Sequence, residues 1–142
     1  MINVDLVEAR LALITRYLER LEKLAEMPEE VFSADHLAAA AAESYLRRVL
    51  EALFDIGRHL LAKSGFTELA AEYTSIARGL VALGAVSPAL ESSLVKMAGY
   101  RNRLVHLYSE VTESELHGIL RTGLGEVREA ARQLRAYVDA RP

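Results

Sequence analysis

The chain contains no cysteine, which excludes disulfide frameworks, thiolate zinc sites and cysteine nucleophiles and fits a reducing cytoplasm. No apolar stretch approaches the ~20 residues that a membrane-spanning helix requires. The opening Met1-Ile2-Asn3-Val4-Asp5 lacks both a basic lead and an uninterrupted apolar run, so a cytoplasmic protein without membrane association is expected. Period-two alternation never lasts long enough for a sheet. Internal repeats, low-complexity tracts and composition breaks are lacking too. At 142 residues the expectation is one domain over 1-142, of a size that buries ~70% of its unfolded surface without covalent staples.

Acid is missing from one stretch in particular. Between Ser92 and Ser109 there is no Asp or Glu, while Lys96, Arg101 and Arg103 stand there in a chain whose net charge is −3. A small basic island in an acidic protein suits one localised phosphate site better than a long electrostatic track.

What the chain has is helical periodicity. Val4, Val7, Leu11, Ile14, Leu18, Leu21 and Ala25 recur at three- and four-residue intervals and stop at Met27-Pro28, the pattern of a long amphipathic helix. Ser33 or Asp35 can cap a second helix, striped by Leu46, Val49 or Leu50, Leu53, Ile56 or Gly57, and Leu60, with Ser64-Gly65 as its stop. Its opening half, Ala38 to Ala42, is too weakly patterned to orient. A third helix is expected from Glu68 or Tyr73 through Leu83, ending at Gly84, and Ser87-Pro88 starts a fourth. Thr112-Glu113-Ser114-Glu115 has the form of a capping box and opens a fifth, with the stripe Leu116, Leu120, Gly123, Val127, Ala130, Leu134, Tyr137. About five helices with short connections predict an all-α antiparallel bundle.

The fourth helix is the informative one. Leu90, Leu94, Met97, Arg101, Leu104 or Val105, and Tyr108 share one face, so a guanidinium interrupts an apolar stripe. Burying it without a partner costs several kcal/mol, and the stripe is therefore expected to open there onto an anion, a carboxylate or a second subunit's cleft. The segment Arg101-Asn102-Arg103-Leu104-Val105-His106-Leu107-Tyr108 has the spacing R-x-x-x-x-H-x-Y. On a straight helix Arg101 and His106 lie ~140° apart and Arg101 and Tyr108 only ~20° apart. Convergence of Arg and His thus needs a bend or end of the helix near His106, a second copy of the chain, or both.

Phosphodiester cleavage in RNA requires a base for the 2′-hydroxyl, an acid for the leaving 5′-oxygen and a cation on the transition state. Histidine suits both proton roles and guanidinium suits the phosphate. A two-fold dimer that joined two Arg101/His106 pairs would supply an acid, a base and two cations with no metal and no cofactor.

The motif, its lead-in Met97-Ala98-Gly99-Tyr100, the run Ala52-Leu53-Phe54-Asp55-Ile56-Gly57-Arg58-His59 and Gly84-Ala85-Val86-Ser87-Pro88 together resemble the HepT family of bacterial toxins, within the HEPN superfamily. The resemblance spans most of the chain. It implies an all-α homodimer with metal-independent endoribonuclease activity at a shared cleft, and pairing with a minimal nucleotidyltransferase antitoxin able to transfer AMP to the motif tyrosine. On that basis Arg101 and His106 take the catalytic positions, Asn102 an orienting one and Tyr108 the modification position, with Asp55 and His59 behind them. A reading of a different class keeps the same bundle as a non-catalytic nucleotide- or partner-binding subunit of a nucleotidyltransferase complex.

Plainer readings stand beside these. Arg101 can pair with an acid on a neighbouring helix such as Asp55, His106 can be a surface group at a helix end, and Tyr108 can be core with its hydroxyl in solvent. Asp55 with Arg58 and His59 has the i,i+3 and i,i+4 spacing of a surface ion pair. Lys96 and Arg103 are either phosphate contacts or solvated charges. His36 and His117 are expected as exposed helix-start residues, and the four histidines have no H-E-x-x-H spacing for zinc.

Overall fold

A computed structural model describes residues 1–70, 72–106 and 111–141. Among them the chain forms α1 (Val4–Ala25), α2 (Glu29–Ala34), α3 (His36–Lys63), α4 (Tyr73–Leu83), α5 (Glu91–His106), α6 (Glu113–Thr122) and α7 (Leu124–Asp139), with 3-10 turns at Thr67–Ala70 and Pro88–Leu90. There are no strands among the described residues, and none of the helices is long and apolar enough to cross a membrane.

The helix ends follow local chemistry. Asn3 caps α1 by accepting from the Leu6 amide, and Asp35 caps α3 by accepting from those of Leu37 and Ala38. Each satisfies amides that have no intrahelical partner. Gly84 ends α4 at φ 82°, with the Ala85 amide returning to the Leu80 carbonyl at 2.9 Å, a left-handed stop that suits a residue without Cβ.

The central pair is α1 against α3. Val7, Leu11, Ile14, Leu18 and Leu21 of α1 and Leu46, Val49, Leu50, Leu53, Ile56 and Leu60 of α3 are all buried in one core. Both alternatives in the α3 stripe are inside, because α3 is covered on more than one side: α1, α4, α5 and α6 all pack on it. Gly57 shows how tightly, since a Cβ there would meet Ile76 Cγ2 at 2.7 Å and Leu80 Cδ1 at 2.9 Å. The weakly patterned start of α3 is oriented by Ala38 and Ala42, both buried.

Three expectations need correction. The helix opened by Thr112 is two helices, broken at Gly123, where a Cβ would lie 2.6 Å from Met97 Cε and 3.0 Å from the Ile119 carbonyl oxygen. The inward stripe survives the break through Leu116, Leu120, Val127, Ala130 and Leu134, but it ends on Val138 rather than on the half-buried Tyr137. The short α2 was not foreseen. It buries a single residue, Phe32, which leaves no period to read in a sequence. His117 is no exposed helix-start residue: its side chain is inside at 6% exposure, with Nε2 2.7 Å from the Met27 carbonyl oxygen and its ring 5.2 Å from that of Phe32. Its partners come with α2 and the turn before it. His36 is exposed as expected.

Candidate functional site

α5 carries the Arg-x4-His spacing and packs on α3 and α4. Its first half is ordinary core, with Leu94, Met97 and Ala98 buried. Arg101 then takes the next inward position, and Leu104 rather than Val105 returns to the core. The Arg101 side chain is only 15% exposed. What receives it is polar on one side and aromatic on the other.

Glu51 of α3 approaches with Oε2 3.4 Å from an Arg101 terminal nitrogen, while its other oxygen accepts from Arg47 at 2.8 Å. Tyr73, the first residue of α4, lies under the guanidinium with its ring centroid 4.2 Å from Cζ, a cation–π contact worth ~0.5–2 kcal/mol depending on desolvation. That ring also meets Phe54 in a T-shaped contact at 5.1 Å. Asn102 completes the surroundings, its Oδ1 accepting from Arg101 at 3.4 Å. Both hydrogen bonds are long, and Arg101 Nε is buried with no hydrogen-bond partner among the described residues. A guanidinium has five N–H donors in a fixed fork. Here most of that capacity is unspent, on a side chain the fold has placed at considerable cost.

The acid that meets Arg101 is therefore Glu51, on a neighbouring helix as the plainer reading allowed and one helical turn before Asp55. Asp55 instead receives Arg10 of α1 at 3.3 Å and Arg58 at 3.1 Å. It reaches Arg101 only indirectly, since Arg58 also lies 5.4 Å from the Tyr73 ring. His59 stands apart. Its Nε2 accepts the Asn3 backbone N–H at 2.8 Å, tying the start of α1 to α3, and burial, followed by the charges of Lys63 and the N-terminus, lowers its pKa. The neutral ring is the form that can accept that hydrogen bond.

His106 is exposed, and the described part of α5 runs up to it, so its imidazole is presented to solvent. Tyr108 lies outside the described residues. Arg103, weighed as a phosphate contact, makes a two-pronged pair with Glu115 of α6 at 2.6 and 2.7 Å, which holds the Glu115 carboxyl below its usual range. Lys96 is exposed. Among the described residues there is no group of three or more His, Asp or Glu able to hold a metal ion.

Sequence reasoning missed Glu51, Tyr73 and Arg47 as neighbours of the motif. The Arg47/Glu51 i,i+4 spacing was visible, but so are many such pairs, and nothing local marked Tyr73.

Among the described residues the fold is a helical bundle that carries Arg101 and His106 five residues apart on one helix. The Ribonuclease HepT-like family profile matches residues 14–134, and the chain belongs to that family. It is 27% identical over 143 aligned positions to the tRNA nuclease HepT of Aphanizomenon flos-aquae (strain 2012/KM1/D3), covering 97% of this chain and 95% of that one. Among solved structures, the fold is shared with a tri-AMPylated Shewanella oneidensis HEPN toxin in complex with its MNT antitoxin, at TM-score 0.80 and 22% identity over 93% of this chain and 98% of that one. It is shared equally with YutE of Bacillus subtilis, at TM-score 0.81 and 16% identity over 98% and 92%.

Proposed function

We propose that the protein is the toxin of a toxin–antitoxin pair, a single-domain cytoplasmic endoribonuclease that works without a metal ion. Membership of the HepT-like family supports the ribonuclease class, and the relative named a tRNA nuclease supports an RNA substrate. The observation that carries the assignment to particular residues is the setting of Arg101: 15% exposed, stacked on Tyr73, and with donors to spare.

In this reading Arg101 stabilises the charge that develops on the scissile phosphate, Asn102 helps to orient it, and His106 moves a proton. The 2′-hydroxyl loses its proton to a base, its oxygen attacks phosphorus, and the 5′-oxygen departs with a proton from an acid, leaving a 2′,3′-cyclic phosphate and a 5′-hydroxyl. Each chain offers one His106, so two chains meeting at this face of α5 supply both proton roles. Asp55 acts at a distance, through Arg58 and Tyr73; His59 faces α1 and has a structural part. Control would come from a nucleotidyltransferase antitoxin that transfers AMP from ATP to the Tyr108 hydroxyl, whose oxygen displaces pyrophosphate from the α-phosphorus as its proton leaves, and the AMPylated state of the Shewanella oneidensis toxin supports this. Bulk and negative charge close to Arg101 would then compete with RNA.

The non-catalytic reading has one observation in its favour, the Glu51 carboxylate already facing Arg101. Purified protein incubated with tRNA in excess chelator separates the two. Fragments ending in 2′,3′-cyclic phosphate are expected; intact RNA at every protein concentration would favour the binding subunit. Light scattering is expected to show a dimer at tens of micromolar, and a strict monomer would remove the composite site. Co-expression with a cognate nucleotidyltransferase antitoxin should add AMP-sized mass increments to the wild type and none to Tyr108→Phe.

A further inference from the structure

A second concentration of positive charge lies outside the motif, where α1 meets α3. Tyr17 of α1 and Tyr45 of α3 stack with ring centroids 5.0 Å apart and planes inclined by 29°. Arg16 lies 5.2 Å from the Tyr17 ring, Arg20 lies 5.3 Å from Tyr17 and 5.4 Å from Tyr45, and Arg48 donates to the Tyr17 hydroxyl at 3.4 Å. All three arginines are exposed and both tyrosines are half-exposed.

Arginine is normally neutralised on this protein's surface. Arg10, Arg47, Arg128, Arg132 and Arg135 each pair with a carboxylate, as expected of a chain with 20 acids and 17 basic residues. Arg16, Arg20 and Arg48, like Arg78, Arg121 and Arg141, have no carboxylate within ion-pair distance among the described residues, although Glu19 and Glu43 are close in sequence; what sets the three apart is that all of them meet the same pair of rings. The hydrogen bond from Arg48, followed by the positive field of Arg48, Arg16 and Arg20, also holds the Tyr17 hydroxyl below its usual pKa. Exposed cation–π contacts return only ~0.5–1 kcal/mol each, a modest offset for gathering three like charges.

We propose that the Tyr17–Tyr45 stack and the guanidiniums of Arg16, Arg20 and Arg48 form a docking surface for single-stranded RNA. Aromatic rings and guanidinium planes are the groups on which unpaired bases stack, and clustered arginines track the phosphates between them. The patch and the motif both border α3. Arg48 is followed one turn later on α3 by Glu51, a rise of ~5 Å, and Glu51 touches both Arg47 and Arg101. A strand that lies on the tyrosines and extends along α3 would approach Arg101. The identity of the guest rests on the ribonuclease reading above, but its binding is measurable without cleavage.

The test uses full-length protein carrying His106→Ala, with labelled tRNA and labelled polyuridine as probes, and dissociation constants measured over a range of salt. Combining Arg16→Gln, Arg20→Gln and Arg48→Gln is expected to weaken binding by about tenfold or more and to flatten the logarithmic salt dependence by about 2, at ~0.7 per phosphate contact on a single strand. The same change of charge made with Arg128→Gln, Arg132→Gln and Arg135→Gln should move neither quantity comparably, and melting curves of both triple variants establish that they are folded. If the two triple variants weaken RNA equally, only net charge matters and the surface is not specific, which overturns the proposal. Wild-type affinity in the first triple variant overturns it too, including the case in which that variant has instead lost its antitoxin. Should wild-type protein fail to cleave RNA while binding still depends on this patch, the catalytic reading fails and the docking surface stands.

Discussion

Arg101 and Arg103 are two residues apart on the same helix and are held in opposite ways. Arg103 is matched prong for prong by Glu115, at 2.6 and 2.7 Å, across the junction of α5 with α6. Arg101 is more deeply placed, yet among the described residues its two hydrogen bonds are both 3.4 Å long, its Nε is unpartnered, and its best contact is the face of Tyr73. A guanidinium whose donors are consumed by a carboxylate fastens two helices. One that is packed rigidly with its donors unspent is arranged for an anion that arrives later, because stacking fixes its position without using up its hydrogen bonds.

The largest effect that can break this contrast is on RNA cleavage. Arg101→Gln and His106→Ala are each expected to lower the cleavage rate by ~10²–10⁴-fold, whereas Arg103→Gln changes it by only a few-fold. His106→Ala should leave the melting temperature nearly unmoved, since its side chain is exposed. Equal losses at Arg101 and Arg103 on a timed tRNA digest would erase the distinction, and wild-type rates in His106→Ala would return that histidine to the surface reading.

Next in size is stability through the helix that carries both arginines. Gly123→Ala would bring a Cβ within 2.6 Å of Met97 Cε on α5 and 3.0 Å of the Ile119 carbonyl oxygen. Met97 can swing away but the backbone oxygen has less room, so a loss of ~1–3 kcal/mol is expected in denaturant unfolding. A neutral or stabilising result would mean that α5 and the α6–α7 junction have slack between them. Smaller again is the Arg103–Glu115 pair, whose side chains are 33% and 35% exposed. A double-mutant cycle with Arg103→Gln and Glu115→Gln should give a coupling of ~0.5–1 kcal/mol, and the corresponding cycle between Arg101 and Glu51 should give less, despite deeper burial, because that contact is longer. A reversed order would make Glu51 the true partner of Arg101.

The smallest effect belongs to His59, about two turns beyond Glu51 on α3, where it meets the start of α1. Its pKa is lowered in the folded protein from an ordinary 6.5, so the unfolded chain takes up the proton first as pH falls. The stability that neutral His59 contributes is complete above pH 6.5, declines as pH drops below it, and levels off below the folded-state pKa. His59→Gln should flatten that limb of a plot of melting temperature against pH. An unchanged slope would assign the limb to another group.

Much of this architecture was legible because it is local. The stripes from Val7 to Leu21 and from Leu46 to Leu60, the Asp35 and Thr112 caps and the Gly84 stop depend on residues within a turn or two of one another, and each stands where the pattern placed it. The misplacement of Arg101 in an apolar stripe was equally visible, as was the family resemblance of its surroundings. The break at Gly123 was not, because the reason for a glycine there is Met97, twenty-six residues earlier.

By itself, then, the sequence determined the long helical segments, the inward face of their strongly patterned stretches, and that one inward position is a cation. Only the tertiary structure decided what that cation meets. Asp55 and Glu51 are both acids on adjacent turns of α3, and the choice of Glu51 follows from how far α5 is displaced along α3, a crossing offset that no local pattern encodes. The same holds for Tyr73 beneath Arg101, for His117 sealed under α2, and for the rings of Tyr17 and Tyr45 brought together from helices that the sequence could only draw separately. Helical period is a short-range consequence of backbone geometry, whereas partners across helices are set by the packing of whole side-chain surfaces against each other.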